Sequence, residues 1–122
     1  MSAKRVLVTE DDPSIRKLLA TMLRRASYDV DTAVDGREAI EKAKVTEYDV
    51  IVLDLMMPVM SGFEVLGRLA IRTPKPRFVV IISAAPLDDI AKAKGANVFA
   101  TLHKPSAIEQ IVATVGACIA AL

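Results

Sequence analysis

The 122-residue chain is 52% hydrophobic and 25% charged, with five Gly and six Pro, a composition that fits one compact domain with a substantial core and excludes a disordered or collagen-like chain. Lys and Arg number 16 against 15 Asp and Glu, and neither sign forms a block, so there is no electrostatic footprint for nucleic acid or an anionic membrane. The single cysteine, Cys118, cannot pair within the chain or supply a metal-ligand spacing, and no stretch resembles a signal peptide or a membrane span; the expected setting is the reducing cytoplasm.

Arg5–Thr9 is a short, nearly continuous apolar run that reads as a strand. Asp12-Pro13 then offers an N-cap and a first helical residue, and Ile15, Leu18, Leu19, Met22, Leu23 and Ala26 recur at helical spacing. Val30–Ala33 is a weaker strand. A second helix follows Asp35-Gly36 and buries Ala39, Ile40 and Ala43. Val50–Leu53 is a strand buried on both faces, and a third helix follows Ser61-Gly62, burying Val65, Leu66 and Leu69. Phe78–Ile82 is a second fully buried strand. A fourth helix at Leu87–Lys94 and a fifth strand at Val98–Leu102 continue the alternation. The last helix opens on Ser106-Ala-Ile-Glu109, a capping-box pattern, and carries Ile108, Ile111, Val112, Val115 and Ile119 on one stripe. Cys118 falls at a core position of that helix and reads as inert packing. Strands alternating with helices, with no hairpin between strands, predict right-handed crossovers and a doubly wound α/β domain around a five-stranded parallel sheet.

In such folds ligands bind beyond the carboxyl ends of the strands. Those ends carry Glu10-Asp11-Asp12, Asp54, Ser83-Ala84 and Lys104-Pro105. Side by side, they bring carboxylates, a hydroxyl and an ammonium to one crevice. Clustered carboxylates repel by roughly 4 kcal/mol per pair at about 4 Å and an effective dielectric near 20, so the cluster calls for a cation beyond Lys104. An all-oxygen shell suits Mg²⁺ better than zinc or copper. A divalent cation beside an exposed carboxylate, a lysine and a hydroxyl is equipment for phosphoryl transfer, with Asp54 supplying the attacking oxygen.

Three stretches carry a family likeness: Val6-Leu-Val-Thr-Glu-Asp-Asp-Pro-Ser-Ile-Arg16, Val50-Ile-Val-Leu-Asp-Leu-Met-Met-Pro-Val-Met-Ser-Gly62 and Lys104-Pro105. With them the chain resembles the CheY-like receiver domains of two-component response regulators over nearly its whole length. The resemblance implies a flavodoxin-like (βα)5 fold with strand order 2-1-3-4-5 and one receiver domain over residues 1–122. It makes Asp54 the phosphoacceptor, with Glu10, Asp11, Asp54 and the backbone carbonyl of Met56 around Mg²⁺, and Ser83 and Lys104 on the phosphoryl group. It further implies a phosphohistidine donor on a sensor histidine kinase or phosphotransfer protein, a downstream target protein, and a monomer or weak phosphorylation-dependent dimer. The chain would then catalyse only its own phosphorylation and dephosphorylation. A cis Lys104–Pro105 bond would help to aim the lysine. Met56 and Ala85 stand where family members tune hydrolysis; both are apolar, which predicts slow self-dephosphorylation.

The chain also departs from that pattern. Glu10 replaces the commoner Asp, Ser106 replaces an aromatic, and Thr101 stands where many members carry an inward-turning Tyr or Phe. Phe99 is expected on the same strand face as Thr101 and so as a partial substitute. The Ser83–Gly95 spacing is short by about a turn of helix and Gly95–Lys104 long by about two residues, which predicts a remodelled output face. Asp12 reads as a helix cap and His103 as an exposed polar residue rather than a relay histidine. Met56, Met57 and Met60 read as loop packing around Pro58. The chief rival is a degenerate receiver acting as a protein-interaction scaffold. An aspartate-nucleophile phosphatase would need an acid where Met56 stands, and a flavin or nucleotide binder would need a glycine-rich loop after the first strand.

Overall fold

The computed structural model describes residues 3–71, 76–86, 88, 97–104 and 107–122. In chain order they form β1 (Arg5–Thr9), α1 (Pro13–Arg25), β2 (Asp29–Ala33), α2 (Gly36–Val45), β3 (Val50–Asp54), α3 (Gly62–Ala70), β4 (Phe78–Ser83), β5 (Val98–His103) and α4 (Ile108–Ala120). All four strand pairings are parallel, and the sheet order is β2-β1-β3-β4-β5. The doubly wound expectation and its strand order hold. The helix expected at Leu87–Lys94 lies outside the described residues except for Asp88, and so do Gly95, Pro105 and Ser106.

Because successive residues of a strand face opposite sides, the sheet divides its apolar side chains between two cores. Leu7, Ile51, Leu53, Val79 and Ile81 pack with Ala39, Ile40 and Ala43 of α2 and Val65, Leu66 and Leu69 of α3. Val6, Val8, Val50, Val52, Val80 and Ile82 pack on the other face with Leu19, Ala20 and Leu23 of α1 and Ile111, Val115 and Cys118 of α4. β3 lies between β1 and β4, which is why its five residues are all buried.

Three helices start as their sequences predict. Asp12 caps α1 by accepting from the amides of Ser14 and Ile15, with Pro13 at the first helical position. Asp35 caps α2 through the Glu38 amide, while Glu38 accepts from the Val34 amide in return. Ser61 caps α3 through the Glu64 amide. α4 differs: its cap position is Ala107, with no side-chain cap bond. The expected α1 stripe is also rotated. Leu18 is half exposed while Ala20 is buried, so the helix seats its Leu19–Ala20–Leu23 ridge on the sheet.

Candidate functional site

The carboxyl ends of β1, β3, β4 and β5 meet at one rim. β3 delivers Asp54 as its last residue, in register with Ile82 of β4, and four fully buried apolar neighbours anchor it. At roughly 1.5–3 kcal/mol for each buried Val, Leu or Ile, they outweigh the several kcal/mol that burying a paired carboxylate costs. Asp54 is thereby held almost fully buried at the rim. Its Oδ1 accepts the Met56 backbone N–H at 2.9 Å, and its Oδ2 accepts from Lys104 Nζ at 2.9 Å. Lys104 follows β5, and its amide donates to the Ser83 carbonyl at 2.7 Å, extending the β4–β5 ladder to the site.

Glu10 follows β1 and is fully buried. Its Oε1 accepts from Lys104 Nζ at 2.7 Å. One ammonium thus joins two carboxyl groups from strands far apart in sequence. Burial first, and then hydrogen bonding with Asp54, push the Glu10 carboxyl up to about 8, against the opposing pull of Lys104. Burial alone would lower the Lys104 pKa, but its bonds to Glu10 and Asp54 prevail and hold it above the ordinary value. Glu10 is thus raised chiefly by its burial, and Lys104 by the two carboxyl groups that hold it.

Oxygens of Glu10, Asp11 and Asp54 lie within 4.8 Å of one another. Glu10 Oε2 is buried and, among the described residues, has no hydrogen-bond partner. A buried carboxylate oxygen without a partner, on a residue that clusters with two other carboxylates, is what a hard divalent cation would satisfy, so these residues fit Mg²⁺.

The loop after Asp54 is tightly packed. A Cβ on Gly62 would stand 2.4 Å from the Asp54 carbonyl oxygen and 2.5 Å from Leu55 Cα, while the Gly62 amide donates to the Leu55 carbonyl at 3.0 Å. Met57 and Met60 pack on the core, as expected for loop packing, and Met56 is exposed. Val59 adopts a left-handed backbone, φ 71°, which is strained for a β-branched residue. Ser83 is buried, one residue beyond the register partner of Asp54, and its Oγ accepts the Ala85 amide at 3.1 Å. Among the described residues it makes no hydrogen bond to the carboxylates. Arg16, which closes the first motif stretch but had no role assigned to it, donates from Nη1 to the backbone carbonyls of Glu10 at 2.9 Å and Asp11 at 3.2 Å. Its place at the end of that stretch, six residues after Glu10, was the sequence signal.

β5 corrects one expectation. The β4–β5 register shifts between Val79, which pairs with Val98, and Val80, which pairs with Ala100. Phe99 is the extra residue of a bulge. Its ring meets Phe78 edge-to-face at 5.1 Å, and Phe78 packs on the α1–α4 face. Thr101 pairs with Ile81, whose side chain belongs to the α2–α3 face. The bulge therefore places Phe99 opposite Thr101, and Phe99 does not substitute for the missing aromatic. It also takes up one of the extra residues between Gly95 and Lys104.

Residues 6–116 match the response regulator receiver domain family. The chain belongs to that family. The receiver is 33% identical over 115 residues to the cell cycle response regulator CtrA of Brucella ovis, a match covering 94% of this chain and 50% of CtrA; the chain thus spans about half the length of such relatives. It superposes on the chemotaxis response regulator CheY4 of Vibrio cholerae with a TM-score of 0.82 and 32% identity, covering 96% of this chain and 99% of that one. Against the response regulator TrrA of Thermotoga maritima, in complex with Mg²⁺–BeF, the TM-score is 0.79 and the identity 30%, covering 94% and 98%. As a response-regulator receiver the chain falls among phosphorelay signalling modules. No described helix is long and apolar enough to cross a membrane.

Proposed function

We propose that this receiver accepts a phosphoryl group on Asp54 from a phosphohistidine of a partner kinase or phosphotransfer protein. A carboxylate oxygen of Asp54 attacks phosphorus, the P–N bond breaks, and its electron pair leaves with the imidazole nitrogen, giving an acyl phosphate. The observation that carries this reading is the Asp54 carboxylate itself: one oxygen is fixed by the Met56 amide, the other by Lys104, and Glu10 and Asp11 stand beside it. Glu10, Asp11, Asp54 and the Met56 carbonyl would hold Mg²⁺, which when bound neutralises charge on the transferring group. Lys104 would pass from the carboxylates to a phosphoryl oxygen, and the Ser83 hydroxyl would donate to another. Residues 1–122 act in this reading as one receiver module that switches a target protein or relays the phosphoryl group.

Incubation with acetyl phosphate and Mg²⁺ tests it by intact mass. The wild type gains one phosphoryl group and Asp54→Asn gains none; an unlabelled wild type, or an equally labelled Asp54→Asn, sinks the reading. Phosphotransfer profiling against candidate histidine kinases then finds the donor. Exposed Met56 and buried Ala85 offer no polar group to orient water, so the phosphoryl group should persist for minutes or longer; loss within seconds contradicts that.

One observation favours a second reading, a scaffold with weakened switching. Thr101 holds the aromatic position, and Phe99 is committed to Phe78 on the other face. Beryllofluoride with Mg²⁺ separates the two: spectral changes at β5 that vanish in Asp54→Asn support a switch, and silence there with Mg²⁺ still bound supports a scaffold.

A further inference from the structure

Two adjacent acidic residues at the end of a strand should face opposite sides of the sheet, because side chains and carbonyls both alternate along extended backbone. Glu10 and Asp11 nevertheless bring carboxylate oxygens to the same cluster with Asp54. The backbone shows how. The Glu10 amide still belongs to the sheet, donating to the Ala33 carbonyl at 3.1 Å, whereas the Glu10 and Asp11 carbonyls both turn to Arg16 Nη1. Two consecutive carbonyls converging on one donor mean that the chain leaves the extended conformation at Asp11, the residue between those two carbonyls, where the backbone bends. That turn lets both carboxyl groups face the crevice.

We infer that Arg16 is a positioning residue for the divalent-cation site, acting through the backbone of the acidic pair. The inference rests on reading the Glu10–Asp11–Asp54 cluster as that site. α1 holds Arg16 in place: Asp12 caps the helix, and the Arg16 amide donates to the Asp12 carbonyl at 2.9 Å. The guanidinium is thus fixed within the first turns of the helix that the acidic loop enters. Its charge acts the other way, since a cation near a cation site opposes binding. Positioning and charge therefore predict opposite signs for its removal.

Isothermal titration of the full chain with MgCl₂ alone reads that sign. Arg16→Met keeps the aliphatic stem and removes both donors and charge. Loss of a group that orients metal ligands weakens affinity by about tenfold or more, and that weakening is the expected result. Arg16→Lys, whose ammonium can still donate to the carbonyls, should recover part of it. Labelling of Arg16→Met by acetyl phosphate should need more Mg²⁺ and reach the wild-type extent once Mg²⁺ saturates. A purely structural role would lower stability without moving the Mg²⁺ midpoint. Affinity in Arg16→Met equal to or tighter than the wild type, or an Arg16→Lys no better than Arg16→Met, overturns the inference. Should Arg16→Met fail to fold, Arg16→Lys is compared with the wild type directly, and an unchanged Mg²⁺ affinity overturns it. A wild type that binds no Mg²⁺ at all overturns the reading of the cluster first, and Arg16 with it.

Discussion

β3 and β5 end at the same rim of the sheet but are built in contrasting ways. β3 is buried along its whole length and flanked on both sides, so the position of Asp54 is set by packing that leaves little freedom. β5 is an edge strand of alternating partial burial, interrupted by a bulge, and its exposed residues are Phe99, Thr101 and His103. The same fold thus places its proposed phosphoacceptor on a fully buried central strand and the missing aromatic, at Thr101, on an exposed edge strand. Function should be brittle around Asp54 and tolerant along β5.

The largest effect should come from closing the space beside β3. In Gly62→Ala the new Cβ meets backbone atoms of Asp54 and Leu55 at 2.4 and 2.5 Å, and backbone cannot rotate away as a side-chain tip can. Overpacking of this kind costs about 3 kcal/mol. Urea unfolding should show that loss, and acetyl phosphate labelling should fall with it; a drop of less than about 1 kcal/mol would mean that the loop yields more readily than its packing implies.

Next comes the buried carboxyl of Glu10. Its carboxyl titrates in the ordinary range when unfolded and near 8 when folded. Between those values the folded state binds more protons than the unfolded one, so stability falls as pH rises through this window. The expected loss without divalent cation is about 3 kcal/mol from pH 5 to pH 7.5. Glu10→Gln should flatten the profile, and saturating Mg²⁺ should flatten it in the wild type. A wild-type profile already flat in EDTA would show that Lys104 answers the cluster by itself.

How much of this the sequence disclosed follows from where the information resides. Continuous apolar runs such as Val50–Leu53 and polar residues just past them report their own burial, so the sheet, Asp54 and Lys104 were legible. Asp12, Asp35 and Ser61 were legible as caps because a cap bond is local in sequence. Arg16 was not, since its partners are backbone carbonyls that no side-chain motif records. The face of Phe99 was hidden for a related reason: one extra residue in β5 reverses the alternation beyond it, and only the pairing with β4 reveals the bulge. Leu18 fits an apolar stripe on paper, yet the seat of α1 on the sheet was decided by the close approach that Ala20 permits.

On β5 the effects should shrink. Phe99→Ala removes an edge-to-face contact with Phe78, worth about 1 kcal/mol, and should leave labelling of Asp54 at the wild-type rate. Slower labelling in this variant would join the bulge to the site and undo the contrast between the two strands.

Thr101→Ala carries the contrast to its limit. Thr101 is exposed, and its register partner Ile81 is already fully buried, so stability should move by no more than about 0.5 kcal/mol. If the position has lost its part in switching along with the aromatic ring, the variant should also match the wild type in labelling rate, phosphoryl lifetime and the spectral response to beryllofluoride. A response that shrinks in Thr101→Ala while labelling is intact would show the hydroxyl sensing the phosphoryl group despite the missing ring. Because β4 ends in Ser83 and pairs with β5 up to His103, the signal would then pass through the Ser83 end of that ladder, and tolerance along β5 would apply to chemistry alone.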